Sequence, residues 1–192
     1  MLGIALGWML GYFAVDVILV ADLPFAKAFG VGAFGYSLMN TVWFVAGIGG
    51  SWISRWMRPR HHLAALVSGG LAAFFGLGLG SVAPAFAILL LGLAVTAFFD
   101  AITSVAGDSV IQLRTPDRLR GRVFAAVPGL GWIANAVAFS LAGFLVERFG
   151  PRRVYKIAAV AGFLYGLILF FFLRRSDVNE GERKTIDSIT PS

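Results

Sequence analysis

Cysteine is absent from the 192-residue chain, which excludes a disulfide framework, thiolate metal sites and a cysteine nucleophile, and leaves the redox compartment undetermined. Charge is scarce: 14% of the residues are Asp, Glu, Lys or Arg, against about a quarter in a soluble globular domain, whose surface has to suit water. Histidine occurs twice, as the adjacent His61 and His62, with no acid spaced nearby to complete a metal site. There is no Ser/His/Asp arrangement, metal cluster or phosphate loop, and the glycine-rich stretches lie in apolar surroundings where a dinucleotide fingerprint would need a preceding strand. No catalytic residue, metal or cofactor is assigned, and an enzyme is not expected.

What the chain does contain is apolar: 58% of residues are hydrophobic, 18 are Phe, and the mean hydropathy is +0.82. A helix crosses the roughly 30 Å hydrocarbon core in about 20 residues, and six runs of that length can be marked out: 2–21, 33–53, 63–82, 85–107, 123–146 and 154–173. The expected fold is an all-α membrane protein of six transmembrane helices within residues 1–175. A polar cytoplasmic tail, 176–192, is expected to be disordered. The first run lacks the basic flank and small-residue cleavage site of a signal peptide, so it is read as retained.

Six spans put both termini on one side of the bilayer. Arg55, Arg58, Arg60, Arg114, Arg118, Arg120, Arg122, Arg174, Arg175, Arg183 and Lys184 lie on that side; Lys27, Arg148, Arg152, Arg153 and Lys156 lie on the other. Positive charge is retained at the cytoplasmic face, which makes both termini cytoplasmic and the location a plasma membrane. The segment "ERFGPRR" runs against this distribution. Because the basic residues are sorted by membrane side and not gathered on one exposed face, nucleic acid is not an expected partner; membrane lipid is.

An ionisable group within hydrocarbon is a functional candidate by default. Two are expected: Asp16, on a helical face with Trp8 and Tyr12, and Asp100, on a face with Thr96 and Thr103. The second span adds Asn40 and the fifth Trp132 and Asn135, whereas the third and sixth are nearly devoid of polar residues. This segregation fits a bundle whose first, second, fourth and fifth helices surround a wet cavity, with the third and sixth against lipid. The alternative for the hydroxyls and amides is hydrogen bonding across helices as packing glue. No Lys or Arg lies deep in a span to pair with the two acids, and burial without such a partner disfavours a charged carboxyl. That suits either proton coupling or a cationic substrate.

Glycine is abundant, with 24 residues, and clusters inside spans, where small residues allow close helix approach. Pro128 is expected to kink the fifth helix. Two segments echo each other: "GSWISRWMRPR" after the second span and "GFLVERFGPRR" after the fifth, each preceded by an N-x-V-x-F that begins at Asn40 or Asn135. The first and fourth spans each hold one acid. Together these point to two triplets of helices in inverted orientation, a device of secondary transporters.

The chain resembles the C-terminal six-helix half of a major facilitator superfamily transporter. That family carries a motif of the form G-x-x-x-D-R-x-G-R-R between the second and third helices of each half. Gly50, Arg55, Arg58 and Arg60 follow it, with Ser54 in place of the acid and Met57 in place of the second glycine; the later copy keeps Glu147, Arg148, Gly150, Arg152 and Arg153. "TPDRLRGRVFA" and "AGFLVERFGPRR" are similar to the corresponding region of bacterial exporters of the macrolide efflux and enterobactin exporter type. The resemblance implies that the first, second, fourth and fifth helices line a substrate cavity. It also implies that the arginine-rich loops latch an inner gate, with Asp108 the acid for Arg55, Arg120 or Arg122. Family members have two such halves, so a second six-helix half is an expected partner, either a missing N-terminal half or a second copy; the fragment reading is favoured.

The functional expectation is proton-coupled efflux of small amphipathic organic compounds or siderophores across a bacterial inner membrane. The alternative is a non-transporting membrane module or truncated remnant that needs a partner half. In "RTPDRLRGRVF", Thr115 is expected to cap the fifth helix, Pro116 to be its first residue, and Asp117 to complement the positive helix end. Arg118, Arg120 and Arg122 would then sit at headgroup level as topology anchors and gate candidates.

Overall fold

The computed structural model describes residues 2–58 and 61–189. Six α-helices follow one another: α1 (Leu2–Ala28), α2 (Gly32–Ser54), α3 (His62–Val82), α4 (Phe86–Arg114), α5 (Asp117–Phe149) and α6 (Pro151–Ile189). Among the described residues, four contain stretches long and apolar enough to cross a bilayer: Ala64–Val82, Phe86–Leu113, Gly131–Phe149 and Pro151–Phe171. In α2 the apolar run is interrupted by Tyr36, Ser37, Asn40 and Thr41, and in α1 the side chains of residues 2–9, where its run begins, lie outside the described residues. The chain is an all-helical membrane protein. Several helices overrun the apolar stretches: α4 continues to Arg114, α5 starts at Asp117, and α6 carries the backbone on through the polar segment to Ile189.

The connections fall into two kinds. Where α1 meets α2, Gly30 adopts φ +76; its N–H donates to the Lys27 carbonyl at 2.9 Å and that of Val31 to Ala26 at 3.1 Å. This left-handed cap satisfies carbonyls that the end of α1 would otherwise leave open, and only glycine enters that region without strain. Gly150, at φ +78, makes the equally short turn from α5 into α6, and Pro151 is the first residue of α6, where a missing N–H costs nothing. Both turns lie at one end of the bundle, called here the tight-turn end. The opposite end carries the α2–α3 and α4–α5 connections with Arg55, Arg58, Arg118 and Arg122, and is called the arginine end.

At the α4–α5 connection the expected cap is not made. Pro116, not Thr115, occupies the capping position, and α5 begins one residue later at Asp117. Thr115 is extended at φ −102, ψ 121, as a residue before proline is pushed to be. Its hydroxyl is buried and has no hydrogen-bond partner among the described residues.

α3 packs against α4 and α6, α1 against α5 and α6, and α2 against α4, with fewer contacts between α1 and α2 and between α5 and α6. In lipid such packing relies on van der Waals fit, and glycine sets the closest approaches. A Cβ on Gly70 of α3 would lie 2.5 Å from the Gly166 backbone of α6, and one on Gly92 of α4 would lie 2.3 Å from the Gly76 carbonyl oxygen. Two apolar clusters result. The larger, around Ile18, Phe25, Leu77, Leu89 and Tyr155, fills the tight-turn end. The smaller, around Leu66, Ala106, Val110, Tyr165 and Leu169, lies toward the arginine end.

Candidate functional site

Helical spacing builds the polar centre of the bundle. On α1, Tyr12 and Asp16 are four residues apart; on α4, Asp100, Ser104 and Asp108 repeat the same interval, so each helix presents one stripe. These residues, with Gly11, Val15, Thr103, Asn135 of α5 and Tyr165 of α6, line a cavity of about 270 Å³. Asp16 is buried, and its Oδ2 atom has no hydrogen-bond partner among the described residues. The Thr103 hydroxyl, with a single proton, lies 2.8 Å from the Phe99 carbonyl and 3.2 Å from that of Ala65 on α3. Tyr12 leans on α5, where a Cβ on Gly131 would lie 3.1 Å from its ring. Tyr165 lies over Gly11, 3.6 Å from where its Cβ would be.

Of the residues singled out in the sequence, the cavity gathers Asp16, Asp100, Tyr12, Thr103 and Asn135, and adds Asp108. Others go elsewhere. Thr96 is buried at the α3–α4 contact, donating to the Gly92 carbonyl at 2.9 Å, and its Oγ1 would lie 2.2 Å from a Cβ on Gly76. It therefore serves helix packing. Asn40 donates to the Tyr36 carbonyl of its own helix at 3.0 Å and is not part of the cavity wall. Trp132 is 73% exposed. The Trp8 side chain lies outside the described residues, as do the side chains of Arg120 and Pro128.

At the arginine end, two of the three arginines expected near Asp108, Arg55 and Arg122, are described. The Arg55 guanidinium lies 4.5 Å from the Trp52 ring centroid and 4.0 Å from that of Trp56, a cation–π stack along an open groove between α2 and α4 that Asp100 also borders. Arg58 and Arg122 are exposed. Among the described residues no ion pair joins Asp108 to Arg55 or Arg122; Asp108 faces the cavity instead.

A second polar cluster, absent from the sequence reading, sits at the tight-turn end. Tyr155 of α6 donates its hydroxyl to Asp22 of α1, and both are buried. Beside them Arg152 donates to the Ala83 carbonyl at 2.9 Å and the Ser81 carbonyl at 3.4 Å. Its guanidinium lies 5.5 and 5.3 Å from the Phe25 and Phe29 rings. This arginine closes the C-terminus of α3, which accounts for a basic residue on the side where positive charge is sparse. Sequence carries a weak signal for it: Asp22 falls one residue outside the first apolar run, and nothing local links it to a tyrosine 133 residues away. The sixth helix, expected to face lipid, turns Tyr155 and Tyr165 inward instead.

Among the described residues no group of three or more His, Asp or Glu is placed to hold a metal ion. The arrangement offers a small-molecule-sized hollow, bordered by carboxyls and tyrosines, that opens at the surface beside the exposed Tyr12, Ser104 and Asp108.

Comparison with known proteins gives this arrangement a context. A family model described as Major Facilitator Superfamily matches residues 1–191. Two curated relatives, each named an uncharacterized MFS-type transporter, come from Mycobacterium bovis and Mycobacterium tuberculosis. Each is 29% identical over 155 residues, which amount to 80% of this chain and 32% of the relative. The match thus spans about a third of the length of either curated protein.

Proposed function

The chain belongs to the major facilitator superfamily, a family of membrane transporters and not of enzymes, and from that premise we propose that it is a six-span half of a secondary exporter. In this reading it moves small amphipathic organic compounds, or siderophores, out of a bacterial cytoplasm in exchange for protons. The observation that carries the proposal is that Asp16, Asp100 and Asp108, from two helices, line one cavity. Intramembrane carboxyls bordering a hollow, with no basic residue among the described residues of its wall, are the usual equipment of a proton or substrate path.

The two-triplet reading finds support in the packing. Exchanging α1 with α4, α2 with α5 and α3 with α6 turns the α3–α4 contact into α6–α1, turns α2–α4 into α5–α1, and returns α3–α6 to itself. The most closely packed pairs thus map onto one another, as a pair of inverted three-helix repeats would make them, whereas the lesser α1–α2 and α5–α6 contacts have no such counterpart. A second six-helix half, from further chain or from a second copy, would cover the exposed apolar residues Phe44, Ile48 and Trp52 of α2 and Trp132, Val137 and Phe144 of α5. The distribution of arginine favours a multi-pass protein of the inner membrane with both termini cytoplasmic. Arg152, engaged at the end of α3, is an exception with a structural use.

The test is efflux from cells or proteoliposomes supplied with both halves, measured across a range of external pH. Asp16→Asn and Asp100→Asn are expected to abolish the pH dependence. Wild-type pH dependence in both variants would remove the acids from the coupling path.

A further inference from the structure

The cavity holds three carboxyl groups and no basic side chain in its wall, and one of those carboxyls is conspicuous. Asp16 is 6% exposed, it borders the cavity, and its Oδ2 has no hydrogen-bond partner among the described residues. A buried oxygen left in that condition requires an explanation, and a ligand that supplies the missing charge is one.

We infer that the cavity receives a monovalent organic cation, an amine or quaternary ammonium compound with an aromatic or branched apolar substituent, and that this is the substrate class of the transporter; the inference rests on the exporter reading above. Three features define the ligand. Asp16, Asp100 and Asp108 provide the opposing charge from α1 and α4. Tyr12 and Tyr165 add aromatic side chains to the wall, and an aromatic ring attracts a cation that comes close to its face. Gly11 and Val15 leave an apolar stretch of wall for the substituent. A bare metal ion fits poorly, because no three His, Asp or Glu among the described residues come together to coordinate one. A quaternary ammonium has no donors to place and needs only nearby charge and polarisable surface.

The test uses the full chain in detergent micelles and equilibrium dialysis with two radiolabelled probes: benzyltrimethylammonium, and phenylacetate as a similarly sized aromatic of opposite charge. The cation is expected to bind saturably and the anion to bind at least about tenfold more weakly, with Asp16→Asn raising the dissociation constant of the cation about tenfold. Asp16→Glu, which keeps the charge, should restore most of the affinity, and the remote Glu147→Gln should leave it unchanged. Circular dichroism establishes that each protein is helical. Equal binding of the two probes, no binding of the cation by helical wild-type chain, or undiminished binding by helical Asp16→Asn and Asp100→Asn would each overturn the inference. Flux through proteoliposomes containing both halves separates it from the exporter reading. A cation that binds but is not moved defeats transport and leaves the site standing. Transport of a neutral or anionic compound with which benzyltrimethylammonium does not compete defeats the cation class and leaves transport standing.

Discussion

The two ends of the bundle handle buried polar groups in opposite ways. At the tight-turn end Asp22 accepts from Tyr155, Arg152 closes the α3 carbonyls, and glycine turns satisfy the end of α1. Toward the arginine end, among the described residues, Asp16 keeps an oxygen without a partner and the Thr115 hydroxyl is buried and unpaired, while the exposed Asp108 borders the same hollow as Asp16 without an ion pair to Arg55 or Arg122. Both ends lie in the same apolar chain, so composition does not explain the contrast. A region whose polar groups bond to one another acts as scaffold. A region that leaves them open is less stable than it could be, which is the condition for accepting a ligand or changing shape.

That contrast can be broken from either side. The largest effect is expected from Tyr155→Phe, which strips the buried Asp22 of its donor; a buried acceptor left unsatisfied costs about 2 kcal/mol, and the unfolding midpoint in a denaturant titration of the micelle-solubilised chain should fall accordingly. Arg152→Ala reopens the C-terminus of α3 and removes the stack on Phe25 and Phe29, with an expected loss of about 1.5 kcal/mol by the same titration. At the other end the sign reverses. Thr115→Val replaces an unpaired hydroxyl with a methyl of like shape and is expected to raise stability by about 1 kcal/mol; a loss of that size would mean that the hydroxyl has a partner in the working protein. The smallest change is expected from Asp108→Asn, within about 0.5 kcal/mol of wild type, while binding of benzyltrimethylammonium weakens measurably. Should Asp108→Asn destabilise as much as Tyr155→Phe, the two ends would not differ in kind.

Residues one helical turn apart were the most legible part of the sequence. Tyr12 with Asp16, and Asp100 with Thr103, share a stripe by geometry alone, and the structure brings both stripes to one cavity. Thr96 continues the α4 stripe by another turn and yet lies against Gly76, because the helices cross and the neighbour of that face changes along the axis. Asn40 and Trp132 have the polarity of cavity residues, but one bonds to its own helix and the other points outward. The Asp22–Tyr155 pair and the Arg152 cap depend on α1 and α3 meeting α6, and no local pattern encodes that meeting. Thr115 shows a local rule overruled by its neighbour: proline at 116 fixes the backbone before a cap can form.

The contact pattern also bears on the order in which the molecule is made. α1 has its main partners in α5 and α6, and α3 has its in α4 and α6, whereas contacts within either triplet are few. As the chain emerges, the first three helices therefore have little to hold one another and must wait in the bilayer until the later three arrive. Assembly of these six helices is late and concerted, and α6, the last of the six, completes the packing of both α1 and α3. A nascent chain halted before Pro151 would leave both of those helices without a principal neighbour, and such unpaired segments are what membrane quality control recognises and removes.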